Sequence, residues 1–74
     1  MQRDDKLVMM ANQIARNLAV EGEARAVPAI ADHLARFWDP RMRAAIVARV
    51  ADGGAGLDPL ARAAVERLAT GNAA

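Results

Sequence analysis

The stretch His33–Arg43, which reads HLARFWDPRMR, contains the residues that decide how this chain folds. It holds the only histidine, the only phenylalanine and the only tryptophan of the sequence. In its middle, Asp39-Pro40 is typical of a helix start, with Asp39 as the N-cap and Pro40 at the first helical position. The stretch therefore predicts a corner between two helices, with the bulky Phe37 and Trp38 at that corner. Three arginines flank it: Arg36, Arg41 and Arg43.

Length and composition favour one small helical domain. The chain has 74 residues, which we predict to form a single domain over residues 1–74. It has no cysteine, which excludes a disulfide framework, a thiolate zinc site and cysteine ligation of an iron–sulfur cluster. Hydrophobic residues make up 54%, much of it alanine, and alanine-rich sequence favours helix over strand. We predict an all-α fold, a small bundle of three to four short helices without strands, whose small core gains stability from a partner.

The charge balance and hydropathy argue against nucleic acid and membrane as partners. Ten Lys and Arg stand against nine Asp and Glu, a net charge of +1 that gives no strong field for either partner. No apolar run approaches the roughly 18 residues of a membrane span. The first residues, MQRDDK, lead into no signal-peptide apolar region. We therefore expect a cytoplasmic protein.

Apolar periodicity and capping signals predict helices over about residues 5–20, 26–38, 40–52 and 58–70. Pro28 is expected in the first turn of the second helix. The glycine-rich residues 53–56 are expected to end the third helix, and Asp58-Pro59 repeats the Asp-Pro start for the fourth. The predicted inward faces are Leu7, Met10, Ala11, Ile14 and Leu18; Val27, Ile30, Leu34 and Phe37; Met42, Ala45, Ile46 and Val50; and Leu57, Leu60, Ala64 and Leu68.

The first helix also carries apolar residues away from its inward face. Met9 lies nearly opposite that face, and Val8 is off it as well. With Asn12 these residues form either tolerated surface or a second apolar strip suited to another protein.

The aromatic residues of the corner leave two interpretations open. Trp38 could cap the core, anchor an interface, or do both, because Trp and Arg contribute much of the energy of protein interfaces. His33 lies four residues before Phe37, so its imidazole is expected to pack beside that ring. Proton transfer by His33 is the less favoured reading, because no Ser, Cys or paired carboxylate other than the adjacent Asp32 accompanies it.

The residues needed for catalysis are scarce. The chain has no Ser, Cys or Tyr, and its only hydroxyl, Thr70, lies near the end. A single histidine cannot build a metal site alone, and residues 53–56 lack the Lys-Ser/Thr of a P-loop. We predict no enzyme and no catalytic, cofactor-binding or metal-binding residue. A DNA-binding module is an alternative; it would place residues 40–52, with Arg41, Arg43 and Arg49, in a groove of the duplex.

Three segments resemble the delta subunit of NAD-dependent molybdenum or tungsten formate dehydrogenase. They are DKLVMMANQIARNL (Asp5–Leu18), AIADHLARFWDPRMRAAIVARV (Ala29–Val50) and GGAGLDPLARAAVERL (Gly53–Leu68). The most specific pieces are KLVxMANQI (Lys6–Ile14) and HLxxFWDPRMR (His33–Arg43). The likeness covers nearly the whole chain in order.

This resemblance implies a small non-catalytic subunit of a cytoplasmic, multisubunit formate dehydrogenase. In that family the catalytic alpha subunit carries bis-molybdopterin guanine dinucleotide and iron–sulfur clusters. The beta and gamma subunits carry FMN, further clusters and the NAD-reducing chemistry. The delta subunit is associated with the alpha subunit and with its stability, assembly or cofactor maturation.

The leading hypothesis is therefore that the corner docks on the catalytic alpha subunit and stabilises it. Trp38 would be the buried anchor, and Arg41 and Arg43 would pair with carboxylates or carbonyls of that subunit. The alternatives are an assembly factor that aids insertion of the molybdenum cofactor, and the DNA-binding module. In isolation, the spare apolar face could pair with a second copy. The predicted partner-binding residues are Met9, Asn12, His33, Phe37, Trp38, Asp39, Arg41 and Arg43.

Overall fold

Four α-helices account for most of the chain in the computed structural model, which describes residues 3–70 and the side chains from Asp5 onward. Helix α1 spans Arg3–Leu18 and continues into a 3₁₀ turn at Ala19–Glu21. Helix α2 spans Glu23–Phe37, α3 spans Pro40–Ala51 and α4 spans Pro59–Thr70. No strand occurs between residues 3 and 70, and the prediction of a small all-α fold is confirmed.

The helix starts at the two Asp-Pro pairs are those that the sequence predicts, whereas α2 begins earlier than expected. It starts at Glu23, directly after Gly22, whose φ of 88° lies in the region that glycine tolerates best. Pro28 consequently lies inside α2 rather than in its first turn, which corrects the sequence-based expectation.

The core is built largely from small side chains. Its largest fully buried side chains are Ile30, Leu34, Ile46 and Val65. Alanines fill much of the remaining interior: Ala11, Ala15, Ala26, Ala31, Ala61 and Ala64. The most extensive contact between helices joins α2 and α4. Alanine lets helices approach closely but offers little apolar area, so such a core stabilises the fold only modestly.

The prediction of an inward position is wrong for two residues. Phe37 is 70% exposed, and Met10 is 39% exposed. Trp38 occupies the interior instead, with only 4% of its surface exposed. Helix α2 ends at Phe37, and the extended backbone of Trp38 (φ −89°, ψ 138°) turns its indole toward the core. Helical periodicity cannot predict the direction of the Trp38 side chain, because Trp38 lies beyond the end of α2.

The loop between α3 and α4 covers part of α1. Gly53 and Gly54 end α3 with a pair of backbone hydrogen bonds, from Gly53 to the carbonyl of Val50 and from Gly54 to the carbonyl of Arg49. Further along, Gly56 packs over Val8, and a Cβ on this glycine would be in ordinary van der Waals contact with Val8 Cγ1, at 3.5 Å. Val8 is therefore buried, although periodicity places it outside the inward face.

None of the helices in the described part of the chain is both long and apolar enough to cross a lipid bilayer.

Candidate partner-binding surface

Asp39 forms the predicted helix cap at the corner between α2 and α3. Its carboxylate accepts a hydrogen bond from the backbone N–H of Met42 at 2.9 Å. Pro40 follows at the first helical position, where its missing N–H leaves no hydrogen bond unmade. The prediction of a cap and helix start is confirmed, and the role of Asp39 in partner binding stays a prediction.

Arg43 fastens the two helices at the same corner. Its guanidinium Nη1 donates to the carbonyl of Ala35 at 3.3 Å and also to the carbonyl of Trp38. Both carbonyls lie at the C-terminal end of α2, where a positive charge is favoured by the helix dipole. The carbonyls that Arg43 contacts thus belong to its own chain, and its pairing with groups of a partner stays a prediction.

Trp38 is likewise part of the fold rather than a projecting anchor. Its indole forms part of the floor of a surface groove but is almost wholly covered by its own chain. Little of its area is left for a second protein to bury. Of the two interpretations of Trp38, the structure shows the core residue, and the anchor role stays a prediction.

Asn12 is also engaged within the chain. Its Nδ2 donates to the carbonyl of Gly56 at 2.9 Å, and its Oδ1 accepts from the backbone N–H of Asp58 at 2.8 Å. A side-chain amide that satisfies backbone groups on both sides of a loop acts as a structural clamp. Of the second apolar strip that Val8, Met9 and Asn12 could form, only Met9 remains exposed, since Val8 is buried as well.

Within residues 5–70, three of the four exposed large hydrophobic side chains lie near His33: Met9 and Met10 line a groove with it, and Phe37 packs against it. Met9 is 63% exposed, and Phe37 projects from the last turn of α2. The rings of His33 and Phe37 lie with centroids 4.7 Å apart at 44°, as the sequence predicts. We call Met9, Met10, His33 and Phe37 the methionine–aromatic surface.

A groove runs through this surface. Its walls come from α1 and from the end of α2. We call it the methionine groove, and its lining residues are Lys6, Met9, Met10, Gln13, Ile14, His33 and Trp38. A second groove continues from it past the corner, and the two share Lys6 and Met10. On α3 the second groove is lined by Arg41, Met42 and Ala45.

Positive charge lies at both grooves. Lys6 and Arg41 are exposed, and neither forms an ion pair with the side chains that the structure describes. The ion pairs within that part of the chain are Arg36–Asp32 at 3.1 Å, Arg49–Asp5 at 3.2 Å and Arg62–Glu66 at 3.5 Å. The grooves therefore combine an apolar lining with cationic edges.

The DNA-binding alternative loses two of its three arginines to internal contacts. Arg49 pairs with Asp5 and also donates to the carbonyl of Ala55 at 3.4 Å, while Arg43 closes the corner. Only Arg41 remains at the surface of the predicted recognition helix. One cation is too few for the several phosphates that such modules neutralise.

The described residues group no three His, Asp or Glu side chains in a position to hold a metal ion. Their buried side chains are all apolar. What the arrangement offers chemically is apolar contact area with positively charged edges.

Sequence reasoning included Met9 of α1 but missed the other residues of α1 that line the methionine groove. Lys6, Met10 and Ile14 follow one another at spacings of four, which places them along one line of a helix. This signal is present in the sequence. The same spacing of four is also typical of the inward face of a helix. Periodicity therefore assigns Met10 and Ile14 to the core and does not identify them as groove residues.

Comparison with known protein families identifies a matching family. A family model described as the NADH-dependent formate dehydrogenase delta subunit, FdsD, matches residues 6–65. No curated protein and no solved structure matches the chain significantly. The matched range contains α2, α3 and every residue of the methionine–aromatic surface. Since the match covers most of the sequence, the chain belongs to the family of delta subunits of NADH-dependent formate dehydrogenase.

Proposed function

We propose that this chain is a non-catalytic subunit that binds the catalytic subunit of the formate dehydrogenase complex and stabilises it. Family membership supports a role as an accessory subunit of such a complex. In this proposal the molybdenum cofactor, the iron–sulfur clusters, FMN and NAD are bound by the other subunits. This chain contributes shape and binding energy.

The observation that carries the proposal is the outward position of Phe37. Phe37 is 70% exposed and packs at a tilt against His33, which lines the methionine groove. Its ring leaves apolar area in water that the chain's own fold does not bury. Burying such a ring is worth about 1.5–3 kcal/mol, and aromatic residues that fill a partner's pocket are common hot spots of interfaces. Phe37 therefore takes the anchor role that the sequence suggested for its neighbour Trp38.

The adjacent aromatic residues allow a direct test. Phe37→Ala should leave the helices intact but weaken binding to the purified catalytic subunit by about 2 kcal/mol, roughly thirtyfold in Kd. Trp38→Ala empties a buried site and should instead cost about 3–5 kcal/mol of folding stability, which is enough to unfold a chain this small. Circular dichroism on heating measures the stability, and calorimetric titration measures the affinity.

Val20→Ala is the matched control, because Val20 is 88% exposed but lies on the 3₁₀ turn and lines neither groove. It should change neither affinity nor stability. If Phe37→Ala binds the catalytic subunit as tightly as Val20→Ala does, the methionine–aromatic surface is not the binding site.

A further inference from the structure

We infer that the methionine groove binds an amphipathic helix whose apolar side chains recur every three to four residues and whose edges carry acidic residues. The inference rests on the proposed function, in that the helix belongs to the catalytic subunit. It adds the chemical nature of the segment that this surface recognises.

The lining of the groove suits the apolar face of a helix. Met9, Met10 and Ile14 present flexible or branched apolar side chains above the Trp38 floor. Methionine adapts its shape to different apolar partners, and grooves between helices commonly bind amphipathic helices through such residues. From Lys6 to Ile14 the groove follows α1 for about 12 Å, roughly two turns of a helix.

An extended segment fits this part of the molecule less well. Strand addition needs an unpaired sheet edge that offers backbone N–H and carbonyl groups. Residues 3–70 form no strand, so they offer no such edge. A helix satisfies its own backbone hydrogen bonds and presents only side chains, which is what an apolar groove can bind.

Charge complementarity indicates acidic residues on the bound helix. Lys6 lies where the two grooves meet, and Arg41 lines the second groove. Asp39 is the carboxylate among the lining residues, and it caps the N–H of Met42. Positive charge exceeds negative charge by one among the lining residues of the two grooves. Complementary potentials across an interface set partner choice and orientation.

Lys6 offers a sharp experiment because it is the only lysine of the sequence. In the assembled complex, a zero-length carbodiimide reagent should join its amine to an Asp or Glu of the catalytic subunit. Peptide mapping by mass spectrometry should place that carboxylate in a helix with apolar residues three and four positions away. Lys6→Arg is the matched control, since it keeps the charge but removes the amine; it should bind normally and lose the cross-link.

Charge reversal tests the same contact by affinity. Lys6→Glu and Arg41→Glu should each weaken binding to the catalytic subunit roughly three- to tenfold and make the affinity less sensitive to salt. Arg67→Glu makes the same change of charge on an exposed residue of α4 that lines neither groove. It should leave the affinity unchanged, and circular dichroism should show all three variants folded.

Three results would overturn the inference. They are a cross-link from Lys6 to a second copy of this chain, a cross-link to a loop or strand of the catalytic subunit, and equal affinities of Lys6→Glu, Arg41→Glu and Arg67→Glu. In each case the unaltered chain could still bind the catalytic subunit, and the proposed function would stand. Failure of the unaltered chain to bind that subunit would instead reject the proposed function.

Discussion

Asn12 shows how a single side chain can hold two distant parts of this fold together. Its amide joins α1 to the loop before α4, with Gly56 and Asp58 as its partners. Asn12→Ala removes both hydrogen bonds and leaves two backbone groups without their protein partner. We expect a loss of about 1–3 kcal/mol in the free energy of unfolding, measured by urea denaturation.

Asn17→Ala is the control for this prediction, because Asn17 is an exposed asparagine of the same helix. It should cost a few tenths of a kcal/mol at most, as is usual for surface positions. Equal denaturation midpoints for the two variants would show that the Asn12 clamp does not contribute to stability.

Phe37 and Trp38 show what the sequence could and could not predict at the residue scale. Adjacent side chains on a helix point about 100° apart, so one core cannot receive both rings from the same direction. That much follows from the sequence. Which ring turns inward depends on where α2 ends, and the extended backbone at Trp38 decides it. The contact between His33 and Phe37 was predictable because it depends only on spacing within one helix.

The helix starts follow from local chemistry and were therefore predictable. Helices α3 and α4 begin at Pro40 and Pro59, each directly after an aspartate. At the first start, the Asp39 carboxylate satisfies the N–H of Met42. An N-cap and a first-turn proline act within a few residues of each other, so no tertiary contact is needed to find them.

The cap of α3 can be tested at the scale of this element. Asp39→Ala should lower the stability of the fold by about 1 kcal/mol, since it leaves the Met42 N–H without its cap. Asp39→Asn keeps an oxygen in the same place and should stay within a few tenths of a kcal/mol of the unaltered chain. Thermal unfolding followed at 222 nm compares the two. Equal losses in both variants would mean that the charge of Asp39 matters and the cap hydrogen bond does not.

The buried face of α1 was the hardest feature of the fold to predict, because residues far away in the sequence cover it. Periodicity assigns Met10 to the core and Val8 to the surface, and the structure reverses both. Val8 is covered by the loop at Gly56, which is far away in sequence. Met10 lies where the two grooves meet and is only partly covered. An amphipathic pattern identifies the apolar residues of a helix, but tertiary packing decides which of them are buried.

For the molecule as a whole, the small core and the exposed apolar surface have a common consequence. A chain of 74 residues with an alanine-rich interior is expected to have a free energy of unfolding of only a few kcal/mol. Burial of Phe37 and the methionine groove against a partner would add to that stability through linkage, about 2.7 kcal/mol when the partner is present at a hundred times Kd. In the complex that we propose, the catalytic subunit would gain stability by the same reciprocal coupling.

This reciprocity gives a test that separates a stabilising subunit from an assembly factor. A mature complex stripped of this chain should lose formate-oxidising activity several-fold faster at an elevated temperature, because local opening of the catalytic subunit at the vacated surface is no longer opposed. Adding back the unaltered chain should restore the half-life, and so should the Val20→Ala control. Phe37→Ala should fail to restore it at the same concentration, since its affinity is about thirtyfold lower.

If the stripped complex keeps both its full activity and its half-life, the chain does not stabilise the mature enzyme, and its role would lie earlier, when the molybdenum cofactor is inserted. Such an assembly factor would need the same surface, so Phe37→Ala would then lower the cofactor content of newly made enzyme instead of the lifetime of the finished complex.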